Sequence, residues 1–228
     1  SSTLLGKIAA AAGARYAETL TGFKWIVRAG QGVPGRRFLF GYEEALGYAV
    51  GDVVRDKDGI SAALALLSLA TTARAAGQSL LDRWDALEAA HGVHLTAQVT
   101  LHAPSPAGIM GRLRAAPPAA LAGHPVISSE DLAAGASAAA GPGATAGADA
   151  AIGAAGTREP GLPPADVLIY RLPGARVVIR PSGTEPKLKA YLEVVEPATP
   201  QTLAPARAAA AGRLEPLRAA VADLVAEG

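Results

Sequence analysis

The hydrophobic pattern of this chain changes near Gly92, and that change limits the fold more than any other feature. Before it, short apolar runs alternate with helical stretches. "ARYAETLTG" reads as a short strand and a loop, "FKWIVRAGQ" as a short helix, and "GRRFLFGY" as a second strand ending at a glycine. Gly59 to Ala76 is helical, with Ile60, Leu64, Leu67 and Leu69 among its apolar positions, and "QSLLDRWDALEAAHG" is an amphipathic helix stopped by Gly92. Strands alternating with helices predict a small α/β domain with a mostly parallel sheet over residues 1–92. Beyond Gly92, "HLTAQVTLHA" reads as a strand, "AGIMGRLRAA" as a short helix, and "ADVLIYRL", "ARVVIRP" and "KLKAYLEVV" as three strands, with a hairpin turn at Pro173-Gly174. The closing segment is one or two helices. Strands grouped in this way predict an α+β domain over residues 93–228, an antiparallel sheet with flanking helices.

Inside the second domain, residues 133–161 are rich in Ala and Gly and almost empty of large apolar side chains. Such a stretch buries too little surface to offset its ordering entropy, so it reads as a flexible insertion. At 228 residues the chain holds one large domain or two ordinary ones. A net charge of +1 leaves no global field for nucleic acid or an anionic membrane, so any preference for anions must be local. The absence of cysteine excludes disulfides and thiolate metal sites and makes the cytoplasm the simplest setting. No apolar run reaches the roughly 18 residues of a membrane span, and no signal-peptide pattern opens the chain. Ser1, Ser2 and Thr3 can cap a helix with Leu4, Leu5 and Ile8 on its apolar face and Gly13 at its end. A chain that opens on a cap, without Met, reads as cut from a longer polypeptide.

Three stretches can carry chemistry. In "RPSGTEPKLKAYLE", Arg180, Ser182, Gly183 and Thr184 put a guanidinium fork, two hydroxyls and backbone N–H groups within reach of one oxyanion. Gly183 permits the positive φ, or the close approach, of an anion-binding nest. Alternation sets Lys187 and Lys189 on one face, opposite Leu188, Ala190 and Leu192, where either lysine can add charge to the pocket. The plainer alternative is a polar hairpin turn with a solvated strand face. In "GYEEALGY", Glu43 and Glu44 lie between glycines at the C-terminal edge of an expected parallel strand, the edge where open α/β sheets bind ligands. A carboxylate can accept hydrogen bonds from two adjacent sugar hydroxyls. If extended, the two point to opposite faces, so one of them contacts the sugar; the alternative is an acidic, solvated loop at a helix N-terminus. In "VVRDKDGIS", Asp58 can cap the long helix. Lys57 lies near the helix N-terminus, where the dipole disfavours cations, so a ligand anion is a candidate partner. Asp52, Asp56 and Asp58 lack the alternating spacing of a magnesium loop, and His91, His94, His102 and His124 lack metal-ligand spacing and read as surface or strand residues.

Together these residues resemble the α-D-phosphohexomutase family, which includes phosphoglucomutase and phosphomannomutase. "ETLTGFKWI", "GYEEALGY", "DKDGISAA" and "RPSGTEPKLK" stand in the family's order, across residues 1 to about 195. The resemblance implies the third and fourth of four domains that surround one cleft, with the third lacking its first strand. In the family, the first domain carries a phosphoserine and the second a magnesium loop. A phosphoryl group passes from the serine to a sugar monophosphate, and the bisphosphate turns around and returns the other phosphate. Glu43, with Glu44 beside it, matches the sugar loop; Ala45 stands where the family often has Ser. Lys57 matches a cleft lysine and Lys24 a possible ligand contact. Arg180, Ser182, Gly183 and Thr184 match the phosphate loop, Lys187 adding charge beside them, and Lys189 falls where the family often has Arg.

The resemblance therefore implies the substrate-recognition half of an isomerase that interconverts hexose 1-phosphate and hexose 6-phosphate. Its expected partners are a hexose phosphate and the missing N-terminal domains of the same polypeptide, which would hold Mg2+. No metal, nucleic acid or membrane is expected to bind this chain. The alternatives are a non-catalytic sugar-phosphate binding module and a phosphopentomutase-like mutase.

Overall fold

In a computed structural model the chain is described over residues 2–32, 34–44, 46–134, 157–158, 163–183 and 185–226. In chain order, the first elements are α1 (Leu4–Ala11), β1 (Ala17–Glu18), α2 (Phe23–Gly30), β2 (Phe40–Glu43), β3 (Gly47–Val50), α3 (Gly59–Ala75) and α4 (Leu80–His91). Then come β4 (Val93–His102), α5 (Pro106–Ala115), β5 (Ala120–Leu121), β6 (His124–Pro125), β7 (Ser128–Asp131) and a 3-10 turn, Leu132–Ala134. The last are β8 (Thr157–Arg158), β9 (Leu168–Leu172), β10 (Ala175–Pro181), β11 (Lys187–Glu196) and α6 (Leu203–Ala226). The Ala/Gly-rich stretch at 133–161 lies outside the described residues apart from its first two positions and β8. The chain divides into two compact units, one containing Leu5–Leu87 and β8, the other Ser2–Leu4 and the described residues from Glu88 onward except β8.

At the start of α1, the Ser2 hydroxyl accepts from the Leu4 N–H at 3.0 Å. The helix ends at Gly13, whose φ of +66° lets the Ala14 N–H reach back to the Ala9 carbonyl at 2.8 Å. The expected mostly parallel sheet is not what the described strands form. Parallel pairing is confined to β1 and β8, two residues each. The expected second strand begins at Phe40 instead of ending near it, and pairs antiparallel with β3 from Phe40↔Val50 to Glu43↔Gly47. The cause is loop length: a parallel neighbour needs a crossover of a dozen or more residues, whereas Glu43 and Gly47 face each other across a short turn. Leu46, at φ +57°, closes that turn in the left-handed region. Phe23 and Val27 from α2 and Ala49 from β3 make a small core, with Ile26 and Phe38 against it. Asp58 caps α3, its carboxylate accepting from the N–H groups of Ile60 at 3.0 Å and Ser61 at 3.3 Å. The apolar positions of α3 face outward: Ile60 is 76% exposed, Leu64 63% and Leu67 62%, and of this helix Ala73 is buried.

The second unit is built on a five-stranded antiparallel sheet in the order β4-β11-β10-β9-β7. Along β11, Leu188, Ala190, Leu192 and Val194 are buried, as are Val177 and Ile179 of β10 and Leu168, Tyr170 and Leu172 of β9. α5 supplies Ile109, Met110 and Leu113 to this core. The closing segment is one helix, α6, whose stripe of Ala206, Ala210, Leu214, Leu217, Val221 and Val225 recurs every three or four residues. Pro216 lies inside α6. Its ring meets the turn at Gly212, four residues earlier, where no side chain adds to the crowding. Arg112 donates from Nη2 to the Leu224 carbonyl at 2.8 Å, giving a last-turn acceptor of α6 a cationic partner. The hairpin turn at Pro173-Gly174 forms, with Gly174 at φ +63°. The short strands β5, β6 and β7 were not expected; two to four residues each are too few for a periodicity to show. Among the described residues no single helix is long and apolar enough to cross a membrane.

Candidate functional site

The phosphate-loop candidate closes the β10–β11 hairpin. Arg180 pairs with Lys189 and Pro181 with Leu188, so the strands leave each other at Ser182. The Ser182 N–H donates to the Lys187 carbonyl at 2.8 Å, and the Lys187 N–H to the Glu185 carbonyl at 2.7 Å. A third bond, from the Ala103 N–H to the Pro186 carbonyl at 3.0 Å, ties the loop to the end of β4. The loop is therefore anchored on both sides. Thr184 lies outside the described residues. Of the two uses open to it, Gly183 does not take the positive φ. It is exposed, and a Cβ there would meet nothing within 4 Å, which leaves its backbone open to approach.

Arg180, Lys187 and Lys189 share the sheet face opposite the core. The charges are not equivalent. Lys187 Nζ is 2.9 Å from the Glu185 carboxylate, whose pKa that hydrogen bond holds below the usual carboxylate range. The Lys189 charge acts on the same Glu185 carboxylate, more weakly than Lys187 does. Arg180 donates from Nη2 to the Tyr191 hydroxyl at 2.8 Å and from Nη1 to the Pro181 carbonyl at 3.4 Å, and its Nε is buried without a partner. Arg180, Lys187 and Lys189 together thus carry more positive charge than the Glu185 carboxylate offsets.

The sugar-loop candidate belongs to the first unit. Glu43 ends β2, and its Oε2 accepts from the Gly22 N–H at 3.0 Å, at the start of α2. A carboxylate at a helix N-terminus is favoured by the helix dipole. Gly22 takes φ +111°, a value glycine tolerates. Lys57 approaches from the segment before α3. Its stem crosses Gly47, the pairing partner of Glu43, so closely that a Cβ on Gly47 would lie 2.8 Å from Lys57 Cδ and 2.5 Å from Phe23 Cε2. Lys57 Nζ lies 5.0 Å from the centre of the Phe23 ring and 3.0 Å from Asp56, with the two side chains 52% and 68% exposed. The hydrogen bond to Asp56 raises the Lys57 pKa, and the more distant Glu43 charge adds to it. Glu43 and the Lys57 stem thus both adjoin Gly47, while the Lys57 ammonium is paired with Asp56. Glu44 is half-buried on the following residue, and Ala45 lies outside the described residues. Lys24 is turned elsewhere, its ammonium 5.1 Å from the centre of the Trp25 ring. Among the described residues no three His, Asp or Glu side chains converge as metal ligands.

Sequence reasoning missed a buried charge cluster on the same sheet face as Arg180. Glu193 Oε1 accepts from Ser2 Oγ at 2.7 Å, Thr3 N–H at 2.7 Å, Thr3 Oγ1 at 3.1 Å and His94 Nδ1 at 2.9 Å. Arg176 lies 3.5 Å from the other oxygen. His94 is a strand residue, as one of the readings had it, but it is buried and works as a donor. The alternation of β11 carried the signal, since it places Glu193 and Tyr191 on the face of Lys189.

The second unit is thus an antiparallel sheet with a cationic hairpin mouth, and the first places Glu43 and the Lys57 stem around Gly47. Comparison with known proteins gives the class. The family model described as phosphoglucomutase/phosphomannomutase, alpha/beta/alpha domain III, matches residues 1–88, and that of the same family's C-terminal domain matches residues 133–210. The chain belongs to the phosphoglucomutase/phosphomannomutase family and corresponds to its C-terminal half. A Haemophilus influenzae protein named "Probable phosphomannomutase" is 36% identical over 198 residues, 85% of this chain and 34% of that protein. A mouse phosphopentomutase is 41% identical over 98 residues, 42% of this chain and 16% of that protein. A Schizosaccharomyces pombe protein named "Probable phosphoribomutase" is 29% identical over 204 residues, 84% of this chain and 33% of that protein. The chain thus spans about a third or less of the length of these relatives.

Proposed function

We propose that this chain supplies substrate recognition to a phosphohexomutase that interconverts hexose 1-phosphate and hexose 6-phosphate, glucose or mannose, through a phosphoserine enzyme and a bisphosphate intermediate. Glu43, with Glu44 beside it, accepts from ring hydroxyls, and Lys57 donates to the same sugar, with Lys24 available to a ligand if its side chain swings off Trp25. Arg180, Ser182, Gly183, Thr184, Lys187 and Lys189 hold the phosphate that is not reacting. The phosphoserine and the magnesium are supplied by other residues than these, so the chain alone turns over no sugar phosphate. The reaction is one of cytoplasmic carbohydrate metabolism.

The observation that carries this reading is the Arg180 fork beside Lys189 at an anchored hairpin mouth. A mobile, fully charged dianion fits such a mouth better than a neutral ligand does. Titration calorimetry with inorganic phosphate tests it. Arg180→Ala should lose about 1.5–3 kcal/mol of binding, a drop of about tenfold or more. Glu43→Ala should bind phosphate as the parent does. Equal binding by Arg180→Ala and the parent makes the loop a structural turn and ends the reading.

A second reading, a phosphopentomutase, is favoured by the similarity to the mouse phosphopentomutase over 98 residues. Side-by-side turnover of a pentose 1-phosphate and glucose 1-phosphate by the complete enzyme separates the two.

A further inference from the structure

The phosphate loop reaches its anion through a side chain that is itself held by another. Tyr191 lies two residues beyond Lys189 on β11, opposite Val178, and therefore diagonal to Arg180. At that offset a long aromatic side chain spans the strand gap. Its hydroxyl accepts from Arg180 Nη2 at 2.8 Å, and its ring centre is 5.5 Å from the guanidinium carbon. An exposed arginine samples many rotamers, and each ligand contact must overcome that freedom. Here one donor and one side of the plane are fixed by a single phenol. We propose that Tyr191 is a positioning residue: it aims the Arg180 fork at the hairpin mouth, so that the anion meets a preorganised guanidinium. This rests on the reading of Arg180 as a phosphate ligand.

The test uses the whole 228-residue chain, inorganic phosphate as the probe, and Tyr191→Phe, which removes the hydroxyl and keeps the ring. Tyr191→Phe should melt close to the parent and bind phosphate roughly three- to tenfold more weakly, as expected for one hydrogen bond to a charged group. In an Arg180→Ala background the same substitution should change affinity no further, because its effect runs through the arginine. Nitrogen-15 NMR of the arginine side chains gives an independent readout. The buried Arg180 Nε–H should exchange slowly in the parent and faster in Tyr191→Phe, without phosphate present. Parent-like phosphate binding and Nε–H exchange in Tyr191→Phe, with Arg180→Ala still defective, overturns the inference and leaves the phosphate reading intact. An undiminished effect of Tyr191→Phe in the Arg180→Ala background also overturns it. Parent-like binding by Arg180→Ala overturns the phosphate reading, and the inference with it.

Discussion

Replacing Glu193 by glutamine should cost this chain more stability than any change at its candidate ligand sites. The carboxylate is 3% exposed and accepts four hydrogen bonds through one oxygen, while its other oxygen faces Arg176. Burial alone would raise its pKa. The His94 hydrogen bond, the Arg176 charge and the bonds from Ser2 and Thr3 outweigh that and hold it at about 2. A carboxyl held at about 2 instead of the ordinary 4.5 is worth roughly 3 kcal/mol of folding free energy at neutral pH. Glutamine fills the same space and keeps an acceptor, but it presents an uncharged amide to a buried guanidinium. Breaking a buried pair by removing one partner costs roughly 3–5 kcal/mol, and the retained acceptor sets the expectation at the lower end. At this chain length that is a fall in Tm of roughly 6–12 °C.

The assay is urea denaturation followed by far-ultraviolet circular dichroism, on parent and Glu193→Gln, from pH 7 to pH 2. The sign follows from the depressed folded-state pKa. The unfolded carboxyl titrates near 4.5 and the folded one near 2. The stabilisation is therefore complete above the first value and is lost as pH falls toward the second. Other carboxylates titrate in the same window in both proteins, so the difference between them isolates Glu193. That difference should be full at pH 6 and close progressively below pH 4.5. A constant difference, or none at any pH, would refute the argument that ionised Glu193 is what its four donors stabilise.

Two further substitutions test how the elements meet. Gly47→Ala puts a methyl group where Phe23 and Lys57 already lie, at 2.5 and 2.8 Å, and should lower stability by about 1–3 kcal/mol in a thermal melt; an unchanged Tm would mean that Lys57 has room to yield. Pro216→Ala restores a donor inside α6 and should raise stability by about 1 kcal/mol or more. A lower Tm in that variant would mean that the exposed proline ring contributes packing worth more than the lost helix bond.

What was legible in the sequence depended on how far each residue's partner lies along the chain. "KLKAYLEVV" reads as a strand because one face of its sheet is covered, so alternation is written into consecutive residues. The hairpin from Arg180 to Lys189 was legible for the same reason: Arg180, Ser182, Gly183 and the two lysines are neighbours in sequence and in the hairpin. "GRRFLFGY" misled because an apolar run does not say whether its neighbour is parallel or antiparallel, and the answer lay in the three residues between Glu43 and Gly47. Gly47 reads as turn punctuation, yet its use is to leave space for Lys57, ten residues later. The Glu193 cluster draws on Thr3 and His94, 190 and 99 residues away, and no local pattern encodes such pairings. Lys189, Tyr191 and Glu193 share one face of β11, and alternation treats them as equals. What separates them is their partners: the charge of Glu185 in the adjoining loop for Lys189, an arginine for Tyr191, and three donor residues for Glu193. One strand thus offers a charge to solvent at its loop end and secures the fold with a charge further in. Only long-range contacts tell the two uses apart.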